Sequence, residues 1–110
     1  MANNFKLKTK ANVGVTTTNI YTAPSATTTV VIGITAANVS ASNINIGIGI
    51  TRASADDIEI GKNIPLPQGS SLEFMQGNKV VLEATDTLTA KSDVTNSLDM
   101  AVTIMEITER

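Results

Sequence analysis

The sequence predicts an all-β fold, an antiparallel β-sandwich of roughly eight short strands, Ig-like or jelly-roll in topology. Two observations carry that expectation. Apolar residues recur with period two along most of the chain, and no stretch shows a convincing helical period. Ile and Val outnumber the other large hydrophobic residues, while aromatics make up 3% of the chain and Trp is absent. A core with so few rings must be built from β-branched side chains, which suit a pleated sheet.

The strands follow in order. Phe5, Leu7 and Thr9 alternate with Lys6, Lys8 and Lys10, so residues 1–18 read as an extended N-terminal arm or an edge strand. Residues 19–110 read as the sandwich domain, and 110 residues fit one domain. A short strand at Ile20–Thr22 precedes the turn Ala23-Pro24-Ser25-Ala26. Val30, Ile32 and Ile34 share one face of the next strand, and a polar loop through Asn38, Ser40 and Ser42 follows. Ile44, Ile46, Ile48 and Ile50 form the cleanest strand. Ile58 and Ile60 begin another, followed by a turn at Gly61-Lys62-Asn63 and an extended connection through Pro65 and Pro67. Leu72 and Phe74, Val80–Leu82, Thr87–Lys91 and Leu98–Ile107 complete the set, with a turn signal at Gln76-Gly77-Asn78. The expected shared core is Ile32, Ile34, Ile46, Ile48, Val80, Leu82, Leu88, Val102 and Ile104.

Composition removes several chemistries. With no Cys and no His, there is no thiolate nucleophile, no Cys/His zinc site and no histidine base, so no enzyme is expected. No apolar run approaches the roughly 18 residues of a membrane-crossing helix. The N-terminus has no apolar signal core, so synthesis in a cytoplasm is expected. Residues 1–20 hold three lysines and no acid, while the rest holds five basic and ten acidic residues. A mildly acidic body with a short basic segment and three aromatic residues is a poor nucleic-acid binder.

Asp56, Asp57 and Glu59 form the one acidic cluster. Their spacing lacks the ligand pattern and turn glycine of a calcium loop, and Asp57 and Glu59 at period two describe the wet face of a strand. No metal or cofactor is expected. Asn38-Val39-Ser40 matches a glycosylation acceptor by chance, for want of a secretion signal. The candidates that remain are surfaces for a partner. Phe5, Lys6, Leu7, Lys8 and Lys10 could add a strand to another sheet. Asn45, Gly47 and Gly49 leave one face of their strand nearly bare, either for a bend or for close docking. Met105 and Ile107 make a second apolar face on the last strand, opposite Met100, Val102 and Ile104.

Ile20-Tyr21-Thr22-Ala23-Pro24, Thr29-Val30-Val31-Ile32-Gly33, Ala37-Asn38 and Ile64-Pro65-Leu66-Pro67-Gln68-Gly69-Ser70-Ser71-Leu72-Glu73 stand in a telling order. Gly77-Asn78-Lys79-Val80-Val81-Leu82, Asp86-Thr87-Leu88, Ser97-Leu98-Asp99 and Met105-Glu106-Ile107-Thr108 continue it. From about residue 19 to 108 this set resembles a family of small virion structural proteins of tailed bacteriophages. Thr85 departs from the glycine usual before Asp86, so that turn is expected to differ. The resemblance implies a non-enzymatic virion component and no catalytic residues. It does not settle the position in the particle; the neutral Thr/Asn-rich surface, the small rigid sandwich and the charged arm favour a capsid decoration (cement) protein that binds and stabilises the assembled head, in many copies, against the major capsid protein. A neck, tail or fibre-associated subunit is the near alternative. A carbohydrate-binding module is the alternative from another class, weakened by the missing Trp.

Overall fold

The computed structural model describes residues 2–53, 55–74 and 79–108. Nine strands lie among them: β1 (Ala2–Val13), β2 (Thr18–Thr22), β3 (Thr27–Asn38), β4 (Ile44–Thr51) and β5 (Ile58–Leu66), then β6 (Ser71–Glu73), β7 (Val80–Leu82), β8 (Thr87–Ser92) and β9 (Leu98–Thr108). They form two antiparallel sheets. One runs β1-β9-β3-β6, with β7 also paired to β3, and the other runs β2-β8-β4-β5. Successive strands alternate between the sheets except at the β4–β5 pair, which stays in one sheet, and β6 with β7 fills one position beside β3. That is the jelly-roll topology, so the structure chooses between the two sandwiches the sequence left open.

The core lies between the sheets. Ile44, Ile46, Ile48 and Ile50 of β4 are all buried and face Val31, Ile34, Leu98, Met100, Val102 and Ile104 of the other sheet. Period two in the sequence becomes alternating burial, because successive strand residues point to opposite faces. The expected core is found at Ile34, Ile46, Ile48, Leu82, Leu88, Val102 and Ile104. Two members differ. Val80 is half-buried at the core margin, and Ile32 does not join the buried cluster.

The cause of the Ile32 difference is a β-bulge between Val31 and Gly33, where β3 slips against β9. The extra residue changes the phase of the alternation. Thr29 and Val31 point inward before the bulge, and Ile34, Ala36 and Asn38 point inward after it. Val30, Ile32 and Ile34 therefore do not share one face. A second correction concerns Gly61-Lys62-Asn63, expected as a turn. These residues lie within β5, where the register to β4 shifts and Asn63 adopts φ 53°. A Cβ at Gly61 would sit 2.5 Å from the Ile64 Cδ1 and 2.8 Å from the Phe74 ring, so both side chains would have to move. The turn expected at Gln76-Gly77-Asn78 lies outside the described residues.

Residues 2–13, expected as an arm or an edge strand, form β1, paired with β9 from Ala2↔Thr108 to Val13↔Leu98. A bulge after Lys10, with Asn12 at φ 58°, turns Val13 into the core.

Candidate functional site

The pairing register decides what each sheet presents to the outside. Glu106, Ile104, Val102 and Met100 of β9 point inward, so Ile107, Met105, Thr103 and Ala101 point outward. Phe5 stands opposite Met105, Met105 opposite Val30, and Val30 opposite Val81. Four strands thus contribute one apolar residue each to a row crossing the outer face of the sheet. Its ends are open, with Phe5 71% and Val81 56% exposed. Leu7, 63% exposed, lies two residues along β1 on the same face, and Ile107 two along β9. Contiguous exposed apolar surface of this kind marks a contact site more often than scattered single residues do.

Phe5, Leu7, Met105 and Ile107, widely separated in sequence, are therefore brought together. Lys6, Lys8 and Lys10 are not part of that face. They stand opposite Ile104, Val102 and Met100, on the inner side of β1. There they close the open margin between β1 and β2. The Lys6 ammonium lies 2.9 Å from Glu106 Oε1, and the Lys8 ammonium sits 5.9 Å from the centroid of the Tyr21 ring. Their aliphatic stems cover the sandwich edge while the charges reach polar partners.

Under this margin lies a buried polar clasp that ties the two sheets together. Tyr21, on β2, donates its hydroxyl hydrogen to the Glu106 carboxylate on β9, and its oxygen lies 2.9 Å from Thr29 Oγ1 on β3. Burial of the phenol, then its bond to Glu106, pushes Tyr21 up to about 12. The Lys6 ammonium, then the Tyr21 hydroxyl, hold Glu106 below the usual carboxylate range, against the burial that would raise it. Both shifts describe one arrangement: a neutral phenol donating to an ionised carboxylate that also meets a lysine. Among the described residues, none of the buried side-chain oxygens of this clasp lacks a hydrogen-bond partner.

Asn45, Gly47 and Gly49 lie on the outer face of the other sheet, across the molecule from the apolar row. At Gly49 a Cβ would come within 2.9 Å of the Ile58 carbonyl oxygen and 3.2 Å of Thr89 Oγ1. The close approach of β5 accounts for that glycine. Gly47 has room for a Cβ and, with Asn45, Glu59, Lys62 and Lys91, floors a shallow depression of about 380 Å³.

Asp57 Oδ1 accepts the Arg52 backbone N–H at 2.8 Å. Among the described residues no three His, Cys, Asp or Glu side chains converge as metal ligands. Asn38 is buried and fully used within the fold. Its Nδ2 donates to the Ser42 and Leu66 carbonyls at 2.8 and 3.0 Å, and its Oδ1 accepts the Ser40 N–H. A second buried charge, Asp86, meets Arg52 Nε at 2.8 Å and accepts the Glu83 N–H at 3.0 Å. The Arg52 contact lies off the N–H axis, so it acts by charge attraction more than as an aligned hydrogen bond.

Sequence reasoning missed Glu106, Tyr21, Thr29 and Asp86. One signal was present. Leu98, Met100, Val102, Ile104 and Glu106 share a single alternating face, so an acid stands in register with a core row.

No protein family and no curated protein matches the chain. Its fold is similar to solved structures at low identity. One comes from work on Bacillus endospore appendages, described as disulfide-linked pili, with TM-score 0.62 and 12% identity over 99% of this chain and 88% of the other. Another is from the capsid of Helicobacter pylori bacteriophage KHP30, with TM-score 0.60 and 9% identity over 99% of this chain and 90% of the other.

Proposed function

We propose that the chain is a non-enzymatic structural subunit of a virus particle, and in particular a decoration protein seated on an assembled phage head. The observation that carries this reading is the row Phe5–Met105–Val30–Val81 on the outer face of the β1-containing sheet. Its register is fixed by β-pairing, so it offers a flat, rigid apolar strip with little ordering cost on docking. The buried polar groups serve the fold, which leaves surfaces as the functional parts. The same fold occurs in a phage capsid and in an assembled pilus, so it is compatible with multi-copy assembly. A decoration subunit would act by mass action, stabilising the shell because it binds the assembled form and not its precursors.

Quantitative mass spectrometry of purified particles tests this. Copies in the hundreds per particle are expected for a head-surface position. A dozen or fewer would move the chain to the neck or tail. Absence from particles would overturn the reading.

A further inference from the structure

The outer face of the β2-β8-β4-β5 sheet holds a trough that the fold itself does not use. It follows β4. On β8, Lys91 stands opposite Gly47 and Thr89 opposite Gly49, and on β5 Glu59 stands opposite Gly49. Two strand positions without side chains, between neighbours that carry them, leave a floor of bare backbone to which a ligand can come close. The depression of about 380 Å³ at Gly47 adjoins one of about 170 Å³ over Gly49, and Gly47, Glu59 and Lys91 line both.

A second observation points to a ligand. Of the three buried threonines, Thr27 donates to the Ser25 carbonyl and Thr29 meets the Tyr21 hydroxyl. Thr89, only 6% exposed, has no side-chain hydrogen-bond partner among the described residues. Its Oγ1 lies 3.2 Å from the point a Gly49 Cβ would occupy, and the Ile58 carbonyl oxygen lies 2.9 Å from the same point. The hydroxyl therefore aims into the trough. Leaving it unpaired costs free energy, which a ligand hydroxyl arriving there would recover. The walls carry both signs, Glu59 against Lys62 and Lys91, and none of the three forms an ion pair among the described residues.

We propose that this trough binds a neutral carbohydrate chain lying along β4. The occupant must be flat where the glycines are, must donate to Glu59 and accept from Lys91, and must bring no net charge. A chain of sugar hydroxyls meets all three needs, because each hydroxyl both donates and accepts. An anionic chain would meet Glu59, a cationic one the two lysines, and an apolar one would leave Thr89 unpaired. The Lys91 stem, with Cγ 3.7 Å from the Gly47 Cβ position, offers methylene surface to the C–H face of a sugar ring. No aromatic ring lines the trough, so each site is weak, and many copies would multiply weak sites. With the apolar row seated on a shell, this face is the one turned to solution.

Cellohexaose, a flat and extended neutral chain, is titrated into the isotope-labelled full-length protein while amide shifts are followed by NMR. Saturable shifts are expected at Gly47, Gly49, Thr89 and Lys91, with half-saturation on the order of 1 mM. At Gly47 a Cβ meets only ordinary contacts, the nearest 3.6 Å away, so Gly47→Val should fold, fill the floor and weaken binding at least tenfold. Thr89→Val keeps the shape, removes the hydroxyl and should weaken binding about fivefold; it decides the matter if Gly47→Val does not fold. No saturable shift up to about 10 mM overturns the proposal. So do unchanged affinity in Thr89→Val, shifts centred on Phe5 and Met105, or tighter binding of an alginate oligomer that salt abolishes. The free chain is titrated, so binding by a chain absent from particles would keep the site and remove the particle reading. A chain abundant in particles that binds no cellohexaose would lose this inference alone.

Discussion

The Tyr21 hydroxyl donates to the Glu106 carboxylate across the gap between the two sheets, 85 residues apart in sequence. This bond joins the second strand to the last, and Lys6 of the first strand completes it. Tyr21 is the only tyrosine and there is no Trp, so its ultraviolet ionisation can be followed without interference. Its midpoint is expected near 12 in the folded protein, against 10 for the free side chain. A raised phenol favours the folded state fully below the unfolded value, so stability should be lost as pH rises from about 10 through 12. Glu106→Gln should bring the midpoint partly down, since burial remains. A midpoint at 10 in the folded wild-type protein would show that the bond does not form.

Glu106 predicts the opposite limb. Its carboxyl is held low, so the stabilisation is present above the unfolded value, roughly 4.3, and disappears as pH falls through the lower folded one. At neutral pH Glu106→Gln should cost about 1–3 kcal/mol, the range for disturbing a buried charged hydrogen bond. Denaturation at a series of pH values should show the gap between variant and wild type narrowing in acid. A gap that stays constant would mean Glu106 titrates normally.

Thr85 adopts φ 68° at the tip of the turn closed by the Asp86 N–H to Glu83 carbonyl bond. A β-branched residue is strained in that region, whereas glycine enters it freely. Thr85 therefore holds the left-handed conformation that glycine favours. Thr85→Gly should raise stability by about 1 kcal/mol, the strain relieved exceeding the entropy lost. An unchanged or lower denaturation midpoint would contradict this.

Deletion of residues 2–15 should abolish cooperative unfolding or lower the midpoint severely. It removes a strand paired along β9, the buried Val13 and the ammonium that neutralises Glu106. Lys6 is 44% exposed, so loss of its charge adds less than the roughly 3–5 kcal/mol of a fully buried pair, and the lost strand pairing and Val13 carry most of the effect. A truncated chain that melts like the full one would show that the segment is an independent arm.

Much of the sandwich is legible in the sequence because period two maps directly onto burial, as in Ile44–Ile50 and Leu98–Ile104. Where it fails, a bulge has intervened. Val31 and Gly33 flank one that no residue type announces, and it sends Val30 outward and Ile34 inward. Gly61 signalled a turn by composition yet serves packing against Phe74, because a missing Cβ has two uses that sequence cannot separate. The apolar residues of the outer face are visible singly in the sequence, as alternation in Phe5 and Leu7 and as the second face of Met105 and Ile107. Their union depends on pairing between the first and last strands, a register that only the fold supplies. The inward aim of Lys6 and Lys8 depends on the same register.

The most direct test of the docking row is competition for incorporation. Phe5→Ser and Val81→Ser alter exposed ends of the row and should shift the folded protein's stability by no more than about 0.5 kcal/mol each. A chain carrying both is mixed equally with wild type during particle assembly, and the ratio in purified particles is measured by mass spectrometry. The account predicts that the variant, melting like wild type, is depleted at least tenfold, about 1.4 kcal/mol of lost contact. Equal representation of the two chains in the particle would contradict it.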